Sequence, residues 1–254
     1  MPTWPIYIIS LADEIPRRAA CTMTMEKWGL SFEFFDAVEG AHLSVADTAG
    51  FYDPNKNLKL FKRPLSAPEI ACYMSHYALW KRVAESESPC AVVLEDDFDG
   101  EDALPTLLRD LARLDLSNRL VKLHSEKHVS GTPLADLAGG YQLIDPGSVP
   151  GYALGYVISR EAAANLVAKA LPFGRPVDMD LKHWWEFDIS ILVVRPPVLH
   201  IRKGRTKSAI ESSRQSTKPN GAMGSISRLV RNLRYQFLYR FEFFRARYKI
   251  PPRK

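Results

Sequence analysis

The sequence predicts an α/β domain with a mostly parallel central sheet, and three observations carry that expectation. Short apolar runs alternate with longer amphipathic segments along most of the chain. One run, "CAVVLEDDFDG" (90–100), reads as a buried strand that ends abruptly in acid. The composition, 254 residues with 46% hydrophobic and 25% charged, is that of an ordinary globular domain with a sizeable core.

The elements follow in order. Pro5 to Ile9 is short, apolar and partly β-branched, a buried strand. A helix is expected from about Glu14 to Trp28, with Arg17 and Arg18 in its opening turns. Phe32 to Val38 is a second strand, closed by Glu39-Gly40, and residues 41–65 lack periodicity and read as a long loop. Ser66-Ala67-Pro68-Glu69 is a capping box with proline in the first turn. The helix it starts runs to about Glu85, with Ile70, Tyr73, Met74, Tyr77, Trp80 and Val83 as its apolar stripe. Then come a strand at Ala91 to Leu94, a helix near Asp102 to Leu114, and strands at Leu120 to Leu123 and Tyr152 to Ser159. A helix over Arg160 to Ala170 and a strand over Ile189 to Val194, stopped by Pro196-Pro197, complete the domain. The expected organisation is a domain over 1–200, a flexible basic connector over 201–224 and a basic aromatic tail over 225–254.

Charge sharpens that division. The tail holds nine Lys/Arg against the single Glu242, a net of +8, so the formal +5 of the chain leaves −3 for residues 1–224. A nucleic-acid-binding main domain is not expected. Cys21, Cys72 and Cys90 show no paired metal spacing, and their odd number favours a reducing compartment. No signal-type leader and no bilayer-length apolar stretch is read, so the expected location is cytoplasmic.

In such sheets ligands gather at the carboxyl ends of strands, where Glu95, Asp96 and Asp97 fall. Extended backbone points residues i and i+2 the same way, so Glu95 and Asp97 can share one hard cation, Mg²⁺ or Mn²⁺. The alternative is a solvated acidic turn. On the preceding helix, Glu69, Cys72 and His76 share a face; His76 orients a ligand or is a satisfied helix histidine. Arg17 and Arg18 hold a phosphate or are solvated. A second acidic point, Asp178 and Asp180 in "PVDMD", could take a proton from a hydroxyl or cap a short helix. Trp184-Trp185 could stack on a sugar or belong to the core, and His200 is a further candidate ligand. A metal-dependent phosphoryl transferase would be expected to carry a phosphate-cradling G-x-x-x-x-G-K-[ST] loop, and none is present.

The order of these pieces resembles glycosyltransferase family 25, the bacterial lipooligosaccharide galactosyltransferases and their collagen-modifying relatives. The matching stretches are "IYIISL" with Arg17 and Arg18, "FFDAVEG" (34–40), "APEIACYMSHYALWKRV" (67–83), "AVVLEDD" (91–97), "GYALGYVISREAAANLV" (151–167), "PVDMDL" (176–181) and "KSAI" (207–210). Two positions depart from the family's usual pattern: Ser10 where asparagine is common, and Glu39 where aspartate is.

The resemblance implies a GT-A-type, Rossmann-like nucleotide-sugar-binding fold, a UDP-sugar donor and inversion at the sugar carbon. It assigns the donor edge to Ile9, Ser10, Leu11, Arg17, Arg18, Ala37, Val38, Glu39 and Gly40, with Glu69, Ser75, Glu95 and Asp96. Mn²⁺ or Mg²⁺ would sit on Asp97 and Glu95, with His200 as a late ligand, and Asp178, Asp180 and His76 would serve catalysis. The expected reaction moves a hexose, first of all galactose, to a lipid-linked glycan acceptor in lipopolysaccharide biosynthesis. A non-catalytic nucleotide-sugar or membrane-binding protein on the same scaffold is the alternative.

In the tail, Ile226, Leu229, Val230, Leu233, Phe237, Phe241 and Phe244 repeat at helical spacing among arginines. A basic amphipathic helix of this kind suits an anionic membrane surface, here the inner face of the cytoplasmic membrane. Docking on the domain's own core is the other reading.

Overall fold

The computed structural model describes residues 4–202, 235–236 and 239–247. Nearly all of the expected connector, and much of the tail, lie outside the described residues.

The order is β1 (Ile6–Ser10), α1 (Ile15–Trp28), β2 (Glu33–Asp36), α2 (Val45–Thr48), α3 (Pro54–Leu60), α4 (Ala67–Ala84), β3 (Cys90–Glu95) and β4 (Phe98–Gly100). It continues with α5 (Leu104–Leu111), β5 (Arg119–Lys122), β6 (Gly131–Asp136), β7 (Gln142–Pro146), β8 (Gly155–Ser159), α6 (Arg160–Lys169), α7 (Val177–Leu181), β9 (Ser190–Arg195) and β10 (Leu199–Ile201). Eight strands form one sheet in the order β2-β1-β3-β8-β5-β9-β7-β6. β1, β2, β3, β5, β6 and β9 run one way, and only β7 and β8 oppose them. The α/β architecture with a mostly parallel sheet is therefore present.

Strand alternation divides the core between the two sheet faces. Tyr7, Ile9, Ala91, Val93, Tyr156 and Ile158 face α4 and α6. Ile6, Ile8, Val92, Leu94 and Val157 face α1 and α5. In α5 the leucines at 104, 107, 108 and 111 are all buried, and each side chain taken out of water contributes about 1.5–3 kcal/mol. α1 ends at Gly29, whose φ of 63° is the left-handed cap that a residue without Cβ adopts without strain.

The expected helix over 66–85 forms with its capping box: Glu69 Oε2 accepts from the Ser66 N–H at 3.1 Å. Residues 41–65 hold more structure than their periodicity suggests. α2 carries a Ser44–Asp47 capping box, and Asp53 caps α3 through the N–H groups of Asn55 and Lys56. This segment is tied across the chain. The Phe173 N–H donates to Phe51 O, the Asp53 N–H to Phe173 O, and Asn57 Nδ2 to Gly174 O. Two strand pairs are also additional to the sequence reading, β4 with β10 and β6 with β7.

The described part of the tail packs on the domain through residues outside the apolar stripe read from the sequence. Residues 239–247 are helical, and Phe243 is buried against Trp185, with Tyr239 and Tyr235 packed beside it on His183 and Phe61. Phe241 and Phe244, read as part of the apolar stripe, are each 56% exposed. Among the described residues no helix is long and apolar enough to cross a membrane.

Gly40 joins the β2 exit to the start of α4, because a Cβ there would stand 2.8 Å from Pro68 Cα and Pro68 N. Backbone cannot yield as a flexible side chain can. The Gly40→Ala variant is expected to lose about 1–3 kcal/mol by urea denaturation; an unchanged midpoint would show that this junction gives way freely.

Candidate active site

The three consecutive carboxylates at the end of β3 are sent in different directions. Asp96 turns toward α1 and is buried. It accepts from Ser10 Oγ at 2.8 Å and from Arg17 Nη1 at 3.0 Å. Arg17 keeps its proton more firmly than usual, since burial is outweighed by the Asp96 charge and hydrogen bond. Arg18 donates to Leu11 O and Ser10 O, both at 3.0 Å, and pairs with Asp36. Both arginines thus take part in holding the β1–α1 turn.

Glu95 turns the other way, toward α4. Its Oε1 lies 3.2 Å from His76 Nε2 and 4.0 Å from Cys72 Sγ. These three ligand atoms lie within 4.8 Å of one another, close enough to hold a divalent cation. His76 Nδ1 lies 2.8 Å from Tyr156 Oη, which accepts from Trp80 Nε1 at 2.9 Å. His76, Tyr156 and Trp80 are fully buried.

β3 stops at Glu95, so the alternation expected to aim Glu95 and Asp97 together does not extend through Asp97. Both charges nevertheless act on the Cys72 thiol. Burial first, then the charges of Glu95, Asp178, Glu69 and Asp97, push the Cys72 thiol well above its usual pKa. Glu95 and Asp97 are both half-buried and offer the hard oxygens that divalent cations take. His200 does not join them; it pairs with Asp99 across the β4–β10 ladder and its Nε2 lies 3.2 Å from Glu101.

The remaining donor-edge residues collect at the neighbouring strand ends. Buried Ile9 aligns with Glu95 between β1 and β3. The Ala37 N–H donates to Ser10 O, and the Val38 N–H to Ser75 Oγ at 2.9 Å. Ser75 itself is buried and donates to Ala71 O. Glu39 Oε2 accepts from His42 Nδ1 at 2.8 Å, and Gly40 lies against Pro68. Glu69 is buried under Arg63, which grips it with two nitrogens at 2.7 and 2.6 Å, so it supports the edge from within.

The second acidic point separates into two roles. Asp180 is buried, paired with Arg175, and accepts from Tyr73 Oη at 2.7 Å. Burial opposes the Arg175 charge, but Asp180 and Glu186 outweigh it and raise its pKa. Burial raises the Asp180 pKa, opposed by the Arg175 charge and the Tyr73 hydrogen bond, and its side chain is committed to these interior partners. Asp178 is half-buried and accepts from the Tyr152 N–H at 3.3 Å. Tyr152 adopts a φ of 60°, a rare conformation for a bulky residue and one met near functional sites. Trp185 packs under the tail helix, which assigns it to the core.

The sequence reading missed Lys122, although a lone lysine inside an apolar strand was its signal. Lys122 aligns with Tyr156 across β5 and β8. Its Nζ donates to Pro150 O at 2.7 Å and Gly151 O at 3.0 Å. Burial lowers its pKa to about 7, with the Asp178 charge opposing. An uncharged amine has two N–H bonds, matching the two carbonyls.

A mixed α/β sheet with carboxylates gathered at the carboxyl end of one strand is the Rossmann-like class of architecture, in which ligands bind beyond the strand ends. The sequence profile of glycosyltransferase family 25, described as LPS biosynthesis protein, matches residues 3–131. The chain belongs to that family. It is 29% identical over 187 residues to procollagen galactosyltransferase 1-B of Xenopus laevis, covering 69% of this chain and 30% of the relative. It is 30% identical over 220 residues to the probable inactive glycosyltransferase 25 family member 3 of Rattus norvegicus, covering 75% and 37%. A glycosyltransferase 25 family member of Aedes aegypti is 30% identical over 193 residues, covering 69% and 29%. The chain spans about a third of the length of these relatives.

Between pH about 7 and about 10 the unfolded chain keeps the Lys122 proton that the folded chain has released, so unfolding is increasingly disfavoured as pH rises. The stability of the natural protein relative to Lys122→Met should therefore increase over that window in urea titrations. A difference that stays flat with pH would mean that Lys122 remains charged.

Proposed function

We propose that this chain is an inverting glycosyltransferase that moves a hexose, galactose before others, from a UDP-sugar to a hydroxyl of a glycan acceptor. The observation that carries this reading is the placing of partly exposed acids at the end of the sheet: Glu95 closes β3, held by His76, Asp97 follows it, and Asp178 on α7 is held by the Tyr152 N–H. Family membership and relatives named procollagen galactosyltransferases support the donor class.

The roles follow from the geometry. The β1–α1 turn, held by Asp96 with Ser10 and Arg17, shapes one wall of the donor site with the 37–40 segment. Glu95 with Asp97 would hold the divalent cation, Mn²⁺ or Mg²⁺, which when bound supplies positive charge to the leaving diphosphate. Asp178 is the base: as the acceptor oxygen attacks the anomeric carbon, its carboxylate takes the hydroxyl proton while the carbon–oxygen bond to the diphosphate breaks. The Tyr152 N–H fixes Asp178 for that task.

The acceptor we propose is a lipid-linked glycan of lipopolysaccharide biosynthesis, met at the inner face of the cytoplasmic membrane. Exposed Phe241 and Phe244, with Arg240 and Arg245 beside them, give the docked tail helix an outward face suited to anionic lipid. Relatives named inactive motivate a second reading, a non-catalytic donor-binding member.

A screen of UDP-sugars, with and without Mn²⁺ and with a lipid-linked glycan pool as acceptor, separates the two. Transfer from UDP-galactose that needs the cation is the expected result, and donor binding without turnover supports the second reading. Asp178→Asn should lower turnover by about 10²–10⁴-fold with the fold intact; near-normal turnover would remove Asp178 as the base. The double variant Phe241→Ala/Phe244→Ala should lose sedimentation with anionic liposomes while its stability moves by less than about 0.5 kcal/mol. Unchanged sedimentation would exclude this face from membrane contact.

A further inference from the structure

We infer that Tyr156, backed by Trp80, fixes His76 in the tautomer that carries its proton on Nε2, and that His76 thereby positions the Glu95 carboxylate. An indole N–H can only donate, so Tyr156 Oη accepts from Trp80 at 2.9 Å. The phenol then has one proton to place, and the acceptor beside it is His76 Nδ1 at 2.8 Å. All three rings are fully buried, which makes an unplaced proton costly. With Nδ1 accepting, Nε2 bears the hydrogen and donates it to Glu95 Oε1 at 3.2 Å. The indole, phenol and imidazole hydrogens of Trp80, Tyr156 and His76 are then each given an acceptor.

The other use of His76, as a metal ligand beside Cys72 and Glu95, needs a bare Nε2. The proton would move to Nδ1, where it faces Tyr156 Oη, and the phenol's own buried hydrogen would lose its acceptor. The network therefore favours His76 as a donor.

Rigid elements supply the precision. His76 and Trp80 lie one turn apart on α4, and Tyr156 stands opposite Val93, two residues before Glu95 on β3. Glu95 has 29% of its side chain exposed, so the hydrogen bond from within leaves its outer edge presented to a ligand. His76, Tyr156 and Trp80 are positioning residues in this scheme.

The inference rests on Glu95 serving the transfer proposed above, but the tautomer can be read without donor, acceptor or cation. Long-range ¹H–¹⁵N correlation spectra of the full chain should show the His76 ring protonated at Nε2. Tyr156→Phe should shift it toward the Nδ1-protonated form and move the Glu95 carboxyl ¹³C signal. His76→Gln keeps an N–H able to reach Glu95 and should hold cation affinity near that of the natural protein, whereas His76→Ala should lose about 10–100-fold. Thermal melts of both variants report whether each remains folded. A ring protonated at Nδ1 in the natural protein would overturn the inference, as would equal losses in the Gln and Ala variants. An Nε2-protonated ring in a chain with no transferase activity would instead count against the transfer reading alone.

Discussion

Three carboxylates follow one another at the end of β3, and the site depends on how the fold keeps them from repelling one another. Asp96 is drawn to the α1 side by Ser10 and Arg17, while Glu95 is drawn to the α4 side by His76. Two layers of the molecule thus meet at adjacent residues. The pull on Asp96 closes the β1–α1 turn, and the Arg18 guanidinium continues it to β2 through Asp36. The pull on Glu95 leaves an oxygen at the surface of a sheet edge that is otherwise tightly committed. Burial of an unpaired carboxylate costs several kcal/mol, so this division of partners is a condition of the strand ending as it does.

The antiparallel strand β8 brings a buried hydroxyl to the α4 side beside His76. Inserted between β3 and β5, it aligns Val93, Tyr156 and Lys122 in one row across the sheet. Tyr156 then meets His76 from below, and Lys122 holds the carbonyls of Pro150 and Gly151 just before Tyr152. Tyr152 in turn holds Asp178. A single row of the sheet therefore supports both acids assigned to chemistry, the one on β3 and the one on α7. Glu95 is placed by fully buried groups, and Asp178 by the N–H of the exposed Tyr152, whose preceding carbonyls are held by buried Lys122.

Much of this was legible in the sequence. The capping box of α4, the β3 acids and the alternation of strands with helices are local signals, and each corresponds to an observed element. Residues 41–65 were under-read because α2 and α3 are too short for periodicity, yet their caps, Ser44 and Asp53-Pro54, stood in plain view. The β6–β7 pair has an exposed face and a bulge between Pro133 and Ala135, which breaks the alternation a strand reading relies on. Partners far apart in the chain carried no local signal at all. Nothing near Glu95 announces Tyr156, and nothing near Asp180 announces that Tyr73 would occupy it.

Asp178 and Asp180 show why spacing alone could not separate a base from an acid committed to the interior. They lie two residues apart on a five-residue helix, so they point to different sides of it. Asp180 faces Arg175 and Tyr73 in the interior, where its charge is matched and its lone pairs are occupied. Removing it would strand the Arg175 guanidinium, whose other carboxylate partner is Glu186. Asp178 has a backbone N–H as its hydrogen-bond donor and remains half-exposed. A carboxylate that must receive a proton needs a free lone pair and a path to the acceptor. Of the two acids, Asp178 is the one left partly exposed and unmatched by a buried guanidinium, which is why the proposed transfer gives it the proton.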